Sequence, residues 1–193
     1  MNRDEQPVHD VVGIGIGPFN LGLACLTDPI ADLDAVFLDA ADGFAWHHGM
    51  MLDDATIQVP FLADLVTMAD PTSRFSFLAW LKETGRLYPF YIREDFHPLR
   101  SEYDAYCRWA ADRLDTLRWG RRVTAVEHDP VTDTFTVHAE TDQGPETYRA
   151  HHVVVGIGTE PSVPAPLRGI GGPAVHSAEF LPNRDALRDA GSI

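Results

Sequence analysis

Residues 8–14, Val8-His9-Asp10-Val11-Val12-Gly13-Ile14, close in an almost unbroken apolar run, the pattern of a short strand buried inside a sheet. The run passes directly into Gly15-Ile16-Gly17-Pro18-Phe19-Asn20, then into Leu21-Gly22-Leu23-Ala24-Cys25-Leu26, which reads as a helix. A second strand, Ala35-Val36-Phe37-Leu38, ends at Asp39. Strand, tight turn, helix and strand in this order predict a parallel sheet and an α/β fold.

The middle of the chain changes period. Pro71-Thr72-Ser73 supplies a helix start, Phe75, Leu78 and Leu81 an apolar stripe, and Gly85 a stop. Ser101 reads as the cap of a second helix, with Asp104 in its third position and Tyr103, Tyr106, Cys107, Ala110 and Leu114 along one face. Both stripes are read as core. From Leu117 onward strands return: Val123–His128 and Thr134–His138 around the turn signal Asp129-Pro130, another beginning near Thr147, and a buried strand from His152 to Gly158. Pro161–Pro173 reads as a crossing segment, and Gly191-Ser192-Ile193 as the first step of a further strand. No internal repeat or low-complexity tract is present.

Composition narrows the function classes. The 193 residues are 45% hydrophobic and 23% charged, the balance of a globular protein. A net charge of −14 repels a phosphate backbone and argues against nucleic acid as a partner. It reads first as a solvated acidic face, and it would also attract a cationic small molecule. Cys25 and Cys107 lie far apart, without the spacing of a disulfide framework or zinc ribbon. The opening Met1–Gln6 is polar and unlike a signal peptide, and no apolar run approaches a membrane span, so a cytoplasmic location is expected. The adjacent pairs His47-His48 and His151-His152 lack metal-ligand spacing, and no metal is expected. His152 reads instead as a core or strand-end histidine.

The chemistry-bearing motif is Gly15-x-Gly17-x-x-Asn20. It matches the dinucleotide fingerprint except for asparagine in the third glycine position. The first glycine permits a tight turn, the second lets backbone approach a pyrophosphate, and the helix amino terminus offers N–H groups and a positive dipole. Asp39, 19 residues after Asn20, stands where a ribose-binding acid is expected. Gly13-x-Gly15-x-Gly17 also resembles the loop of Rossmann-type methyltransferases, so S-adenosylmethionine stays open as a ligand at this point.

Longer segments are more specific. Gly15–Ala24, Phe37-Leu38-Asp39, Phe44-Ala45-Trp46-His47, Gln58–Thr67, Asp70–Ser73, Phe75–Leu78 and Glu102–Ala111 resemble the lysine/ornithine N-monooxygenases, the N-hydroxylating flavoenzymes of siderophore biosynthesis. The chain looks most like the desferrioxamine-type cadaverine/putrescine branch. The resemblance runs from Asp10 to Ile193. It implies a Rossmann-like FAD-binding domain, a parallel sheet with helices plus a small antiparallel β element, over residues 10–190. A polar tail over 1–9 precedes it, and a helical insertion over about 60–115 interrupts it. By this resemblance Gly15, Gly17, Pro18 and Asn20 hold the FAD pyrophosphate and Asp39 takes the ribose. Trp46 and His47 line the cofactor, Gln58 lies near the isoalloxazine and substrate, and Val123 meets the adenine through its backbone.

Two departures from the family pattern shape the expectation. Family members acting on ornithine or lysine usually carry lysine where this chain has Ala63, a cation thought to hold the substrate α-carboxylate. A diamine has no carboxylate, and such a lysine would face another cation unpaired, so Ala63 points to cadaverine or putrescine. No second G-x-G-x-x-G follows, and the chain is expected to stop before the family's NADPH-binding domain and to be inactive alone. The implied cofactors are FAD and NADPH, and the partners a small-molecule amine and molecular oxygen; a homo-oligomer of the intact enzyme stays open. The amine attacks only when neutral, against an ordinary pKa of about 10.4, so the site must be desolvated. The alternatives are a non-catalytic flavin-binding remnant and the methyltransferase.

Overall fold

The computed structural model describes residues 7–169 and 174–189. The strand start expected at 191–193 and the last part of the crossing segment, 170–173, lie outside the described residues. The elements in chain order are β1 (Val8–Ile14), α1 (Pro18–Thr27), β2 (Ala35–Leu38), α2 (Phe77–Glu83), α3 (Leu87–Arg93), α4 (Arg100–Ala111), β3 (Leu117–Arg118), β4 (Arg122–Asp129), β5 (Thr134–Thr141), β6 (Gly144–Val155) and α5 (Arg184–Asp189). Short 3-10 turns cover His48–Met50, Ala165–Leu167, Ser177–Glu179 and Leu181–Asn183.

One six-stranded sheet runs β3-β2-β1-β6-β5-β4. β1 pairs parallel with β2 and β6, and β2 pairs parallel with β3. The β4-β5-β6 end is antiparallel. The expected α/β fold is thus present, with its parallel sheet and antiparallel element. Alternation along β1 divides the core. Val12 and Ile14 pack with Val36, Leu38, Val137 and Ala150 on one face. The other face carries Phe37, fully buried among Leu21, Cys25, Tyr106 and Cys107 of α1 and α4. Gly13 makes room for Phe37, since a Cβ there would lie 2.2 Å from the ring.

The stretch from His152, read as a strand separate from the one near Thr147, belongs with it to one strand, β6, which changes partner midway. Ala150 is the pivot, paired with Phe135 on one side and His9 on the other. Beyond it β6 keeps only β1 as a partner among the described residues. That accounts for the exposure of His152, which is not a core histidine.

Both helix starts also move. α2 begins at Phe77 rather than near Ser73, with the Ser76 hydroxyl accepting from the Ala79 N–H. α4 begins at Arg100 with Leu99 as its cap residue, not Ser101, and the Glu102 carboxylate reaches back 3.0 Å to the Leu99 N–H. The same carboxylate pairs with Arg86 and Arg93 and so ties α3 to α4.

Candidate functional site

The turn from β1 into α1 has the geometry that an anion requires. Gly15 adopts φ +86°, and a Cβ there would lie 2.6 Å from the Gly156 carbonyl, so the turn tolerates no side chain. Gly17 differs. Its φ is −81°, and a Cβ would meet nothing closer than 3.8 Å, so neither backbone nor packing demands glycine. What the missing side chain leaves is open room at the amino end of α1. That helix has no side-chain cap and no acid in its first turn, and Pro18 at its start removes one N–H while fixing φ. The residues therefore fit a dinucleotide pyrophosphate.

Asp39 stands just past β2 and accepts two backbone N–H groups, Ile16 at 2.7 Å and Ala41 at 2.8 Å. Its carboxylate is thus fixed beside the glycine loop, with lone pairs left for a hydroxyl donor. Asn20 is placed differently from the expectation. Its side chain is 2% exposed and turns inward, with Nδ2 2.8 Å from the Gly15 carbonyl and 3.2 Å from that of Ile14. Only its backbone N–H remains on the helix amino terminus. Val123 is half-buried at the start of β4, where the register shifts before Ala125. Nearby, an open groove of about 320 Å³ is lined by Asp42, Trp119, Arg121 and Gln143, among others.

A second cluster forms around Arg100. Trp46 packs edge-on against Tyr103 with ring centres 5.0 Å apart, and its backbone N–H donates to Asp104 at 3.0 Å. The Arg100 guanidinium lies 6.0 Å from the Trp46 ring centre. His47 is exposed and left-handed, with φ 47°. Partial burial and Arg100 hold its imidazole below its ordinary pKa. The segment carrying Gln58 runs alongside the approach to α4, with Ile57 donating to the Pro98 carbonyl and Arg100 to that of Ala55. Gln58 and Ala63 are both exposed.

The sequence reading placed Tyr106 in the core but missed the hydrogen bonds by which it and Asp64 anchor this segment. Asp64 accepts from the N–H groups of Val66, Thr67 and Phe77 and from the Thr67 hydroxyl, at 2.6–2.9 Å. Tyr106 donates its hydroxyl to the Phe75 carbonyl at 2.6 Å and accepts from Leu65 N–H at 3.3 Å. Gly22 sets α1 directly on this loop, since a Cβ there would lie 2.6 Å from the Leu65 carbonyl. No spacing rule links position 64 to 77 or 106 to 75.

Among the described residues no group of three His, Cys, Asp or Glu could hold a metal, and no helix is long and apolar enough to cross a membrane.

Comparison with known proteins bears on the family. The chain is 43% identical over 178 residues to a putrescine N-hydroxylase of Acinetobacter baumannii, covering 92% of this chain and 40% of that enzyme. It is 44% identical over 194 residues to a putrescine N-hydroxylase of Shewanella oneidensis, 98% of this chain and 38% of that enzyme. The FAD-bound crystal structure of DfoA, the desferrioxamine-pathway cadaverine monooxygenase of Erwinia amylovora, superimposes with a TM-score of 0.91 at 48% identity over 95% of this chain and 43% of its own. The ornithine N-hydroxylase KtzI of Kutzneria sp. 744, solved with reduced FAD, NADP+ and L-ornithine, gives 0.83 at 38% identity, covering 95% of this chain and 44% of its own. The chain therefore spans about two fifths of the length of these relatives. Residues 7–193 match the family model, a family of monooxygenases rather than methyltransferases, and the chain belongs to the L-lysine 6-monooxygenase/L-ornithine 5-monooxygenase family.

Proposed function

We propose that this chain is the FAD-holding part of a monooxygenase that N-hydroxylates the terminal amine of a diamine, putrescine or cadaverine, for hydroxamate siderophore assembly. FAD, when bound, supplies the oxygen chemistry, with NADPH as the electron source. The chain's own residues bind and orient. Gly15, Gly17 and the first amides of α1 receive the pyrophosphate, and Asp39 receives the ribose. Val123 lies toward the adenine. Trp46 and His47 line the flavin, and Gln58 and Ala63 face the substrate.

The observation that carries the flavin assignment is Gly17, bare although neither its backbone nor its packing calls for glycine, beside a carboxylate pinned to the same loop. The diamine assignment rests on Ala63, an exposed methyl on a turn closed by its own N–H to the Pro60 carbonyl at 2.9 Å. The single lysine of the chain, Lys82, lies on α2. A site with no cation at position 63 accepts a second ammonium group without repulsion.

The test is the visible spectrum of the purified chain, desalted after incubation with FAD. A retained flavin band supports the assignment, and a folded but colourless protein overturns it. For the substrate, the intact enzyme containing this chain is assayed for hydroxylamine formation. Faster turnover of lysine than of cadaverine overturns the diamine assignment.

A further inference from the structure

The peptide unit between Gly15 and Ile16 is held from both ends. Its N–H donates to the Asp39 carboxylate at 2.7 Å, and its carbonyl accepts from Asn20 Nδ2 at 2.8 Å. The same Nδ2 lies 3.2 Å from the Ile14 carbonyl and 3.5 Å from that of Val154, so Asn20 ties the loop to the ends of both β1 and β6. In the dinucleotide fingerprint the third glycine allows close contact between helix and strand. Here that position is filled by a buried amide, and the room it needs is found across the interface, at Gly156. A Cβ on Gly156 would lie 2.7 Å from Asn20 Cγ and Nδ2, although the backbone there does not require glycine. The small residue stands not on the helix but just past the end of the facing strand.

We propose that Asn20 and Gly156 form a matched lock that sets the orientation of the Gly15–Ile16 peptide, with the Asn20 side chain positioning the loop for the dinucleotide pyrophosphate without touching it. The proposal rests on the flavin reading for its ligand and on the chain's own contacts for its geometry. With the carbonyl of residue 15 drawn inward, the loop presents the bare Gly17 and the free amides of α1 to the anion. Without the amide of Asn20, the Gly15 carbonyl loses its donor, whereas that of Ile14 keeps the Gly156 N–H at 2.7 Å. The peptide, held then by Asp39 alone, more readily turns its carbonyl toward the phosphates, where it would repel them.

The test is a double-mutant cycle on this chain with Asn20→Gly, Gly156→Ala and the pair together, read by FAD affinity from flavin fluorescence and by amide hydrogen exchange without FAD. Asn20→Gly restores the fingerprint glycine, yet it is expected to weaken FAD binding about tenfold. It should also speed exchange at residues 15–17 and 154–157 while leaving α4 unchanged. Gly156→Ala is expected to weaken binding about tenfold when Asn20 is present and less than about threefold when residue 20 is glycine, because the methyl then enters vacated room. Equal cost of Gly156→Ala in both backgrounds, or an Asn20→Gly variant with unchanged exchange, overturns the lock. If Asn20→Gly does not fold, the same cycle with Asn20→Ser, which keeps one small donor, decides. If the unsubstituted chain binds no FAD, the cofactor reading falls, and the exchange cycle alone decides the lock.

Discussion

Gly49 lies directly beneath the carbonyl of Ala178, so close that a Cβ would stand 1.8 Å from the oxygen. This contact seats the turn Ser177–Glu179 on the turn His48–Met50, which leads out of Trp46 and His47. The Ser177–Glu179 turn is itself shaped by the His176 ring, whose Nδ1 accepts from Ala178 N–H at 3.1 Å. Gly49→Ala forces backbone apart and is expected to cost at least about 1–3 kcal/mol by urea denaturation. Gly43→Ala, where a Cβ would meet nothing within 4 Å, is the control and should stay within about 0.5 kcal/mol of the parent.

Asp39→Ala removes the acceptor for both Ile16 and Ala41 and the group offered to ribose. Hydrogen bonds to a charged group contribute about 1.5–3 kcal/mol, so FAD affinity should fall at least about tenfold by fluorescence titration. Asp39→Asn keeps an acceptor for the loop but loses the charge, and it should fall between the two.

Tyr106→Phe deletes one oxygen that serves two buried backbone groups, the Phe75 carbonyl and the Leu65 N–H. An orphaned buried group costs about 1–3 kcal/mol, and the loss should appear in the urea midpoint. It should also raise amide exchange across residues 63–67, the turn that carries Ala63.

His47 has its imidazole held below the ordinary value of 6.5, first by partial burial and then by Arg100. The folded chain therefore binds fewer protons at this site than the unfolded chain. Its contribution to stability is present above pH 6.5 and is lost as pH falls through the lower folded value. His47→Asn, which suits the left-handed backbone and does not titrate, should flatten the stability profile below pH 6.5 relative to the parent. An NMR titration of the His47 ring checks the direction independently.

Much of this architecture was legible because its signals are local. β1 and β2 were read to the residue, since a strand buried on both faces is an unbroken apolar run between turn residues. The glycine loop and Asp39 were legible for the same reason. What escaped depends on contacts distant in sequence. Ser73 offers a cap as good as Ser76, but the Phe75 carbonyl is taken by Tyr106 and the Phe77 N–H by Asp64, so the helix starts at Phe77. α3 gave no signal, because its Pro89 falls in the first turn and Tyr88 and Tyr91 face solvent. β6 was broken in two because His151-His152 interrupts the apolar pattern where, among the described residues, the strand keeps β1 as its one partner. The inward side chain of Asn20 was not legible because its spacing says ligand, whereas its amide faces three carbonyls of its own chain.

The two thiols on the α1 and α4 side of the sheet carry a further meaning. Cys25 and Cys107 are both 0% exposed, and burial pushes the Cys25 thiol up to about 12 and that of Cys107 well above its ordinary value. Almost no thiolate exists at neutral pH, and a reagent has no path to either sulfur while α1 and α4 remain docked. Each chain thus carries a two-count stopwatch. An alkylating dye added at time zero records the moment at which these helices part, and any ligand that settles the glycine loop will be visible as a slower hand.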